Sequence, residues 1–307
     1  MSGCRVFLTG ATGFVGAHIL TELLAAGHDV RALTRADAPS NGVQWVRGDL
    51  RDVGAFARKL RGCDYLVHCA ALYTFAPSRQ GEIAAVNVAG TESLLAAAHL
   101  AGIERVVLTS SSATLGHAEG GYHRSKLDQE RIAFAARPKV IALLPTAPVG
   151  AGDRKPTPTG KLVQDFARGK IVARAPGNGG MNLVPVEDVA KAHVAALTRG
   201  NAGERYVLGG ENFTMDEIWQ MLSDVTGCKM PSWRAPYALA FAAGAFDEMR
   251  SRVSGTEPAV PLEGVRLSRV RMYADSSKAR AELGFTPSDV KTALASAVRW
   301  FRDNAMA

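Results

Sequence analysis

Tyr122 and Lys126 stand four residues apart in the run Tyr122-His123-Arg124-Ser125-Lys126. On a helix that spacing puts a phenol and an ammonium on one face. A phenol ionises near pH 10, too high for an efficient acid–base partner at neutrality, and a neighbouring ammonium favours the phenolate. Bringing the phenol down to about 7 takes roughly 4 kcal/mol of differential stabilisation. Alone, the pair is weak: six tyrosines and ten lysines in 307 residues produce it by chance in roughly one such chain in five. Its weight comes from an earlier run, Thr9-Gly10-Ala11-Thr12-Gly13-Phe14-Val15-Gly16. Together the two imply hydride transfer: a site for a dinucleotide and a proton donor for the oxygen beside it.

The elements that must position these residues are legible around them. Arg5-Val6-Phe7-Leu8-Thr9 reads as a strand entering the glycine run. Phe14, Val15, Ile19, Leu20, Leu23 and Leu24 then recur at helical spacing up to Gly27, and Asp29 to Leu33 reads as a second strand. In such a βαβ unit Gly10 permits the tight turn, Gly13 lets the backbone approach a pyrophosphate, and Gly16 lets helix pack on strand. The helix start, Phe14 and Val15 included, presents free N–H groups to the phosphates. An acid that would bind the ribose hydroxyls is missing at the end of the second strand, where Leu33-Thr34-Arg35 stands. Arg35 can bind a 2′-phosphate there, so NADP(H) is expected, with NAD(H) the alternative. Further strands (Val43 to Arg47, Tyr65 to Cys69, Arg105 to Thr109, Ile141 to Leu144) alternate with helical segments such as Val88 to Ala101. That alternation predicts an α/β fold, a doubly wound parallel sheet covered on both faces, with ligand chemistry at the C-terminal strand ends. Ala70 and Ser112 fall at such ends.

The composition is that of a globular enzyme, with 47% hydrophobic and 21% charged residues. The net charge of +7 is spread along the chain, which reads as a solvated basic surface with some attraction for anionic ligands. No nucleic-acid module is present, and no His/Cys/carboxylate group has metal-ligand spacing, so no metal is expected. Four scattered cysteines without a C-x-x-C pair read as reduced thiols in a cytoplasmic protein. No signal peptide precedes Cys4, and no apolar run reaches the roughly 20 residues of a membrane span; the longest candidate is Ala235 to Phe246.

The fingerprint, Gly48-Asp49-Leu50, Asn87-Val88-Ala89-Gly90-Thr91, Ser110-Ser111-Ser112 and Tyr122-x-x-x-Lys126 follow one another in the order of a known superfamily. The chain resembles the extended short-chain dehydrogenase/reductases over essentially its whole length. Within them it is most similar to the dihydroflavonol-reductase-like branch and the hopanoid-associated sugar epimerases. Asp153 to Gly160 and Gly203 to Asn212 carry that finer likeness. The resemblance implies that Ser112 is the catalytic serine, with Ser110 and Ser111 as alternatives, beside Tyr122 and Lys126. It implies that Asp49 and Leu50 flank the adenine, that Ala70 and Ala71 line the cofactor groove, and that Pro145 to Val149 lie beside the nicotinamide. It also implies a homodimer paired through helices near Val88–Ala101 and Tyr122–Ala136. Relatives carry a longer loop between serine and tyrosine; nine residues here imply a more open pocket. His117 and His123 nearby are expected at the surface.

Residues 1–165 are expected to form the NADP-binding Rossmann domain and 166–307 mainly the substrate-binding region, with part of 183–212 returning to the first. Leu183 to Val186 should lead back to the sheet, Lys161 to Gly169 should form a helix at the cleft, and Thr214 should start a helix. Pro236 to Met249 is apolar and reads equally as a lid or as core or dimer packing, with a membrane-surface role a minor option. Thr146 and Ala147 stand where many nucleotide-sugar enzymes carry asparagine. Arg266, Arg269 and Arg271 are the candidates for a diphosphate-binding arginine. The leading expectation is an NADPH-dependent reductase of a ketone or aldehyde in a partly apolar small molecule. A sugar epimerase or dehydratase comes second, and a cofactor-binding regulator without turnover third.

Overall fold

Val6, Phe7 and Leu8 are completely buried because their strand is central and helices cover both of its faces. The structure, a computed structural model, describes residues 3–36, 43–74, 76–116, 121–256, 258 and 260–304. In chain order its elements begin β1 (Arg5–Thr9), α1 (Phe14–Ala25), β2 (Asp29–Thr34), β3 (Gln44–Arg47) and β4 (Tyr65–His68). Then come α2 (Gln80–Ile83), α3 (Gly90–Leu100), β5 (Arg105–Thr109), α4 (Gly121–Ala135), β6 (Val140–Pro145) and β7 (Ala147–Val149). The second half holds α5 (Pro158–Ala167), β8 (Gly180–Pro185), α6 (Val186–Ala195), β9 (Arg205–Leu208), β10 (Glu211–Thr214) and α7 (Met215–Thr226). It closes with α8 (Tyr237–Ser254), α9 (Leu262–Leu267), β11 (Arg271–Met272), α10 (Ser277–Leu283) and α11 (Val290–Asp303).

Seven strands form one parallel sheet in the order β3-β2-β1-β4-β5-β6-β9. The chain winds outward from β1 to β3, then returns to place β4 on the other side of β1. The strand order therefore reverses between β1 and β4, the crevice where doubly wound sheets bind their ligands. Side chains alternate across β1. Val6 and Leu8 pack with Ile19 and Leu23 of α1 and Val189 of α6 on one face. Phe7 packs with Leu94 and Leu95 of α3 on the other. Each such fully buried side chain contributes about 1.5–3 kcal/mol, so the core needs no covalent staple; all four cysteines are free. A smaller sheet, β10-β8-β11 with β7 against β8, carries a third cluster with Phe166, Trp219, Leu294 and Phe301 from α5, α7 and α11.

Several elements depart from the sequence reading. The helix expected from Val88 begins at Gly90, after a π-helical turn over Ala84–Ala89. The helix expected at Lys161 starts at Pro158, because Thr157 caps it through its bond from the Gly160 N–H and Pro158 fits the first turn. Leu183 to Pro185 joins the smaller sheet, and the return is made by α6, packed on α1, and by β9 at the edge of the large sheet. Gln80–Leu100, not Ala235 to Phe246, is the helix long and apolar enough to cross a membrane by length and composition alone; here it packs in the layer beside the sheet.

Candidate active site

The glycine run makes a cradle in which side chains would not fit. Gly10 is in the left-handed region at φ 79°, and a Cβ there would lie 2.6 Å from the Ala70 nitrogen. A Cβ on Gly16 would fall 2.0 Å from the Gly10 oxygen, so that glycine lets α1 seat against the loop. Gly13 caps α1 without a side-chain bond, and the first turn has no acid, which leaves the helix start open to a phosphate. These residues fit a dinucleotide pyrophosphate.

At the end of β2, Arg35 is exposed, and its positive charge reaches Asp49, the first residue after β3 and Gly48. Asp49 is held below the usual carboxylate range, first by its hydrogen bond from Arg51 and more weakly by Arg35. The Arg51–Asp49 pair is 2.7 Å long. Sequence reasoning missed the Arg51 contact; its place two residues after Asp49 was the available signal. Asp49 also caps the turn that begins at Leu50, and Leu50 is buried beneath it. Ala70 and Ala71 follow β4, and Pro145 ends β6.

Tyr122 and Lys126 sit in the first turns of α4, with the Lys126 Nζ 6.0 Å from the phenol ring centroid. Lys126 is almost fully buried and donates to the Thr109 carbonyl and to the Gln129 Oε1, each at 2.9 Å. Burial brings its ammonium down to about 8, against the opposing pull of Cys69 and Glu130. The Tyr122 phenol is pushed well above its ordinary value, first by burial and then by Cys69, while the Ser111 hydroxyl lowers it. The chain's own residues therefore leave the phenol raised, with desolvation the largest cause. Thr12, in the loop before α1, is exposed toward solvent.

The three serines after β5 have separate tasks. Ser110 donates to Glu130, a buried carboxylate also held by Thr114 at 3.1 Å and by Arg205 at 3.0 Å. Ser111 caps the turn over Ser112–Leu115 and faces the Tyr122 phenol. Ser112 has no hydrogen-bond partner among the described residues, so its hydroxyl is available to a substrate. The loop to Tyr122 carries His117 and residues 118–120, which lie outside the described residues. His123 is not at the surface: its Nδ1 stands 2.7 Å from Glu263 of α9, with only 12% of its side chain exposed. Tyr73 packs edge-on against Tyr122, with ring centroids 4.4 Å apart.

A buried polar chain runs from the glycine loop to the lysine. The Thr9 Oγ1 accepts the Ala70 N–H at 3.2 Å and lies 2.7 Å from the His68 Nδ1. The His68 Nε2 lies 2.9 Å from the Thr91 Oγ1, which also accepts from the Gln129 Nε2 at 2.8 Å. Thr91 gives its own proton to the Asn87 carbonyl, so His68 must donate through Nε2 and accept at Nδ1 from Thr9. That pattern needs a neutral imidazole, and burial, aided by Lys126, brings His68 down to about 3. Gln129, unnoticed in the sequence, closes the chain by accepting from Lys126. Asn87 ties the segment after β4 to α4 by accepting from the Leu72 N–H and donating to the Ser125 hydroxyl.

On the substrate side, Thr146 bonds Asn182 at 2.9 Å, and Asn182 is itself bonded to Asn212. The Arg266 and Arg269 guanidiniums lie over the rings of Phe241 and Tyr237, at 5.9 and 4.3 Å from the centroids. Among the described residues, no group of three or more His, Cys, Asp or Glu could hold a metal ion.

A model of the NAD dependent epimerase/dehydratase family matches residues 6–209. A Synechocystis protein named as a dihydroflavonol 4-reductase is 38% identical, over 99% of this chain and 96% of its own. Sterol demethylase protein B of Methylococcus capsulatus is 33% identical, over 97% of this chain and 98% of its own. A Stigmatella aurantiaca ketoreductase of 4-hydroxy-2-methyl-3-oxo-4-farnesyl-3,4-dihydroquinoline-1-oxide is 30% identical, over 92% of this chain and 91% of its own. Among solved structures, gox2253 superposes with a TM-score of 0.84 at 33% identity, over 98% of this chain and 99% of that one. MoeE5 in complex with UDP-glucose and NAD superposes at 0.78 and 26% identity, with the same coverage.

Proposed function

The chain belongs to the NAD-dependent epimerase/dehydratase family, and from that premise we propose that it is an NADPH-dependent reductase of a ketone or aldehyde in a largely apolar small molecule. The observation that carries the reading is Tyr122 beside buried Lys126, one strand end away from a glycine cradle shaped for a dinucleotide. Glycines 10, 13 and 16 with the start of α1 hold the pyrophosphate, Asp49 and Leu50 the adenosine, and Ala70, Ala71 and Pro145 the groove toward the nicotinamide. The bound dinucleotide supplies the hydride. Tyr122 gives its phenolic proton to the substrate oxygen, and Ser112 donates a hydrogen bond to the same oxygen. Lys126 holds positive charge next to the phenol.

Arg35 supports NADPH over NADH, because it stands exposed at the end of β2, where a 2′-phosphate would lie, and Leu33-Thr34-Arg35 carries no acid there. An apolar substrate is supported by two features. Thr146 is engaged with Asn182, and Arg266 and Arg269 lie against aromatic rings, which leaves the exposed Arg271 as the arginine candidate for a diphosphate. The sterol-related and farnesylated-substrate relatives agree with that. A second reading, transient oxidation of a nucleotide sugar, is favoured by the likeness to MoeE5, solved with UDP-glucose and NAD. Purified protein supplied with NADPH and candidate ketones tests the choice: net NADPH consumption supports the reductase, and retained oxidised cofactor without net consumption supports the epimerase.

A further inference from the structure

Helix α8 wears its apolar residues on the outside. Leu239 is 56% exposed, Phe246 73%, Met249 67% and Val253 87%, whereas Gly244, Asp247 and Ser251 face inward. The inward set is fully used. Gly244 lets the helix approach Leu262 of α9, Asp247 accepts the Val260 N–H at 2.8 Å, and Ser251 donates to the Thr256 carbonyl. The fold therefore anchors α8 through small and polar residues and leaves its greasy side facing out, the reverse of an ordinary surface helix. Core packing does not account for the outward face.

We propose that this face docks on an anionic lipid bilayer, from which the enzyme draws its substrate; the second half of that statement rests on the apolar-substrate reading above. Three observations choose the occupant. First, at 100° per residue Ala238, Leu239, Ala242, Ala245, Phe246, Met249 and Val253 span roughly 120° of arc, wider than the two-position seam of a helix pair and suited to a planar apolar phase. Second, the rim is basic. Arg250 lies at one edge and Arg252 at the other, with side chains 49% and 63% exposed, more than their partners Asp247 and Glu248 at 13% and 30%. The guanidiniums thus face outward while the carboxylates lie behind them, which complements anionic headgroups. Two copies of the face would instead bring arginine-rimmed surfaces together. Third, the inward side of α8 packs on α9, whose Glu263 pairs with His123 beside Tyr122, so the helix that carries the docked face is linked through α9 to α4.

The test is sedimentation of the full chain with vesicles of phosphatidylcholine, with and without phosphatidylglycerol. The account predicts binding that requires phosphatidylglycerol and weakens with salt. It also predicts that Phe246→Glu with Val253→Glu weakens binding by at least about tenfold, and that Arg250→Gln with Arg252→Gln weakens it less. These side chains are exposed, so the variants should keep the wild-type melting temperature and NADPH affinity, which makes loss of vesicle binding specific to the face. Absence of binding to anionic vesicles would overturn the proposal. So would a dimer, seen by sedimentation velocity without lipid, that Phe246→Glu dissociates, because a second copy would then be the occupant. Neither readout needs turnover, so the docking face can fail while the reductase reading stands, and the reverse.

Discussion

At the scale of single residues, the site depends on which charges are buried and what holds them. Replacing Tyr122 by Phe removes the proton donor and little else; turnover should fall by at least about a hundredfold while NADPH still quenches or shifts the protein fluorescence. Undiminished activity would reassign the donor. Arg35→Ala should cut the preference for NADPH over NADH by about tenfold or more, read from the ratio of kcat/KM values, because a charge-assisted phosphate contact is lost. Gln129 acts through Lys126, so it is a positioning residue. Gln129→Glu should hold the Lys126 ammonium, which burial brings to about 8, more firmly and move the alkaline limb of the pH–rate profile upward; a merely structural role would leave that limb in place. Tyr122, Lys126 and the glycines were legible from the sequence because their chemistry depends on spacing within one loop or helix. Gln129, His68 and Thr91 were not, because the bonds that link the three to one another join residues 23 and 38 positions apart that only the folded sheet brings together.

At the scale of elements, the strand and helix pattern of the first half was readable from hydrophobic periodicity, since buried parallel strands are continuous apolar runs. The second half was harder. Its small sheet pairs short strands from distant segments: β8 meets β10, β11 and β7, none with a strong period of its own. Helix α7 was legible at its start because Thr214 and Glu217 form reciprocal caps, the Thr214 hydroxyl accepting from the Glu217 N–H and the Glu217 carboxylate accepting from the Thr214 N–H. Thr214→Ala should cost about 1 kcal/mol, measured as a shift in the denaturant midpoint, and leave NADPH binding unchanged. The direction in which α8 faces could not be read from composition, since an apolar helix has the same sequence whether it turns inward or outward. Its inward glycine, aspartate and serine show their role only once α9 is seen against them.

For the whole molecule, two histidines buried neutral on opposite sides of the sheet tie stability to pH. Burial, aided by Lys126, holds His68 at about 3, and burial holds His193 at about 4, although the bond to the Val189 carbonyl favours its charged form. An unfolded histidine titrates near 6.5, so the unfolded chain binds more protons below that pH. The stability these residues confer is complete above about 6.5 and falls as the pH drops toward the folded values, by about 2 kcal/mol for each histidine near pH 5. Urea midpoints at neutral pH and near pH 5 check this, and His193→Gln should flatten the dependence. The sheet that buries these histidines also sets the glycine cradle, the serine turn and α4 around one crevice, in which the proposed reductase would pass hydride from NADPH to an external carbonyl. The most direct measurement uses NADPH deuterated at the transferring carbon, with a ketone substrate, and follows the label and the cofactor together. Deuterium in the alcohol product with one NADPH oxidised per product is the predicted result. Unchanged NADPH, with product formed and no deuterium gained, would contradict it and assign the chain to internal redox cycling.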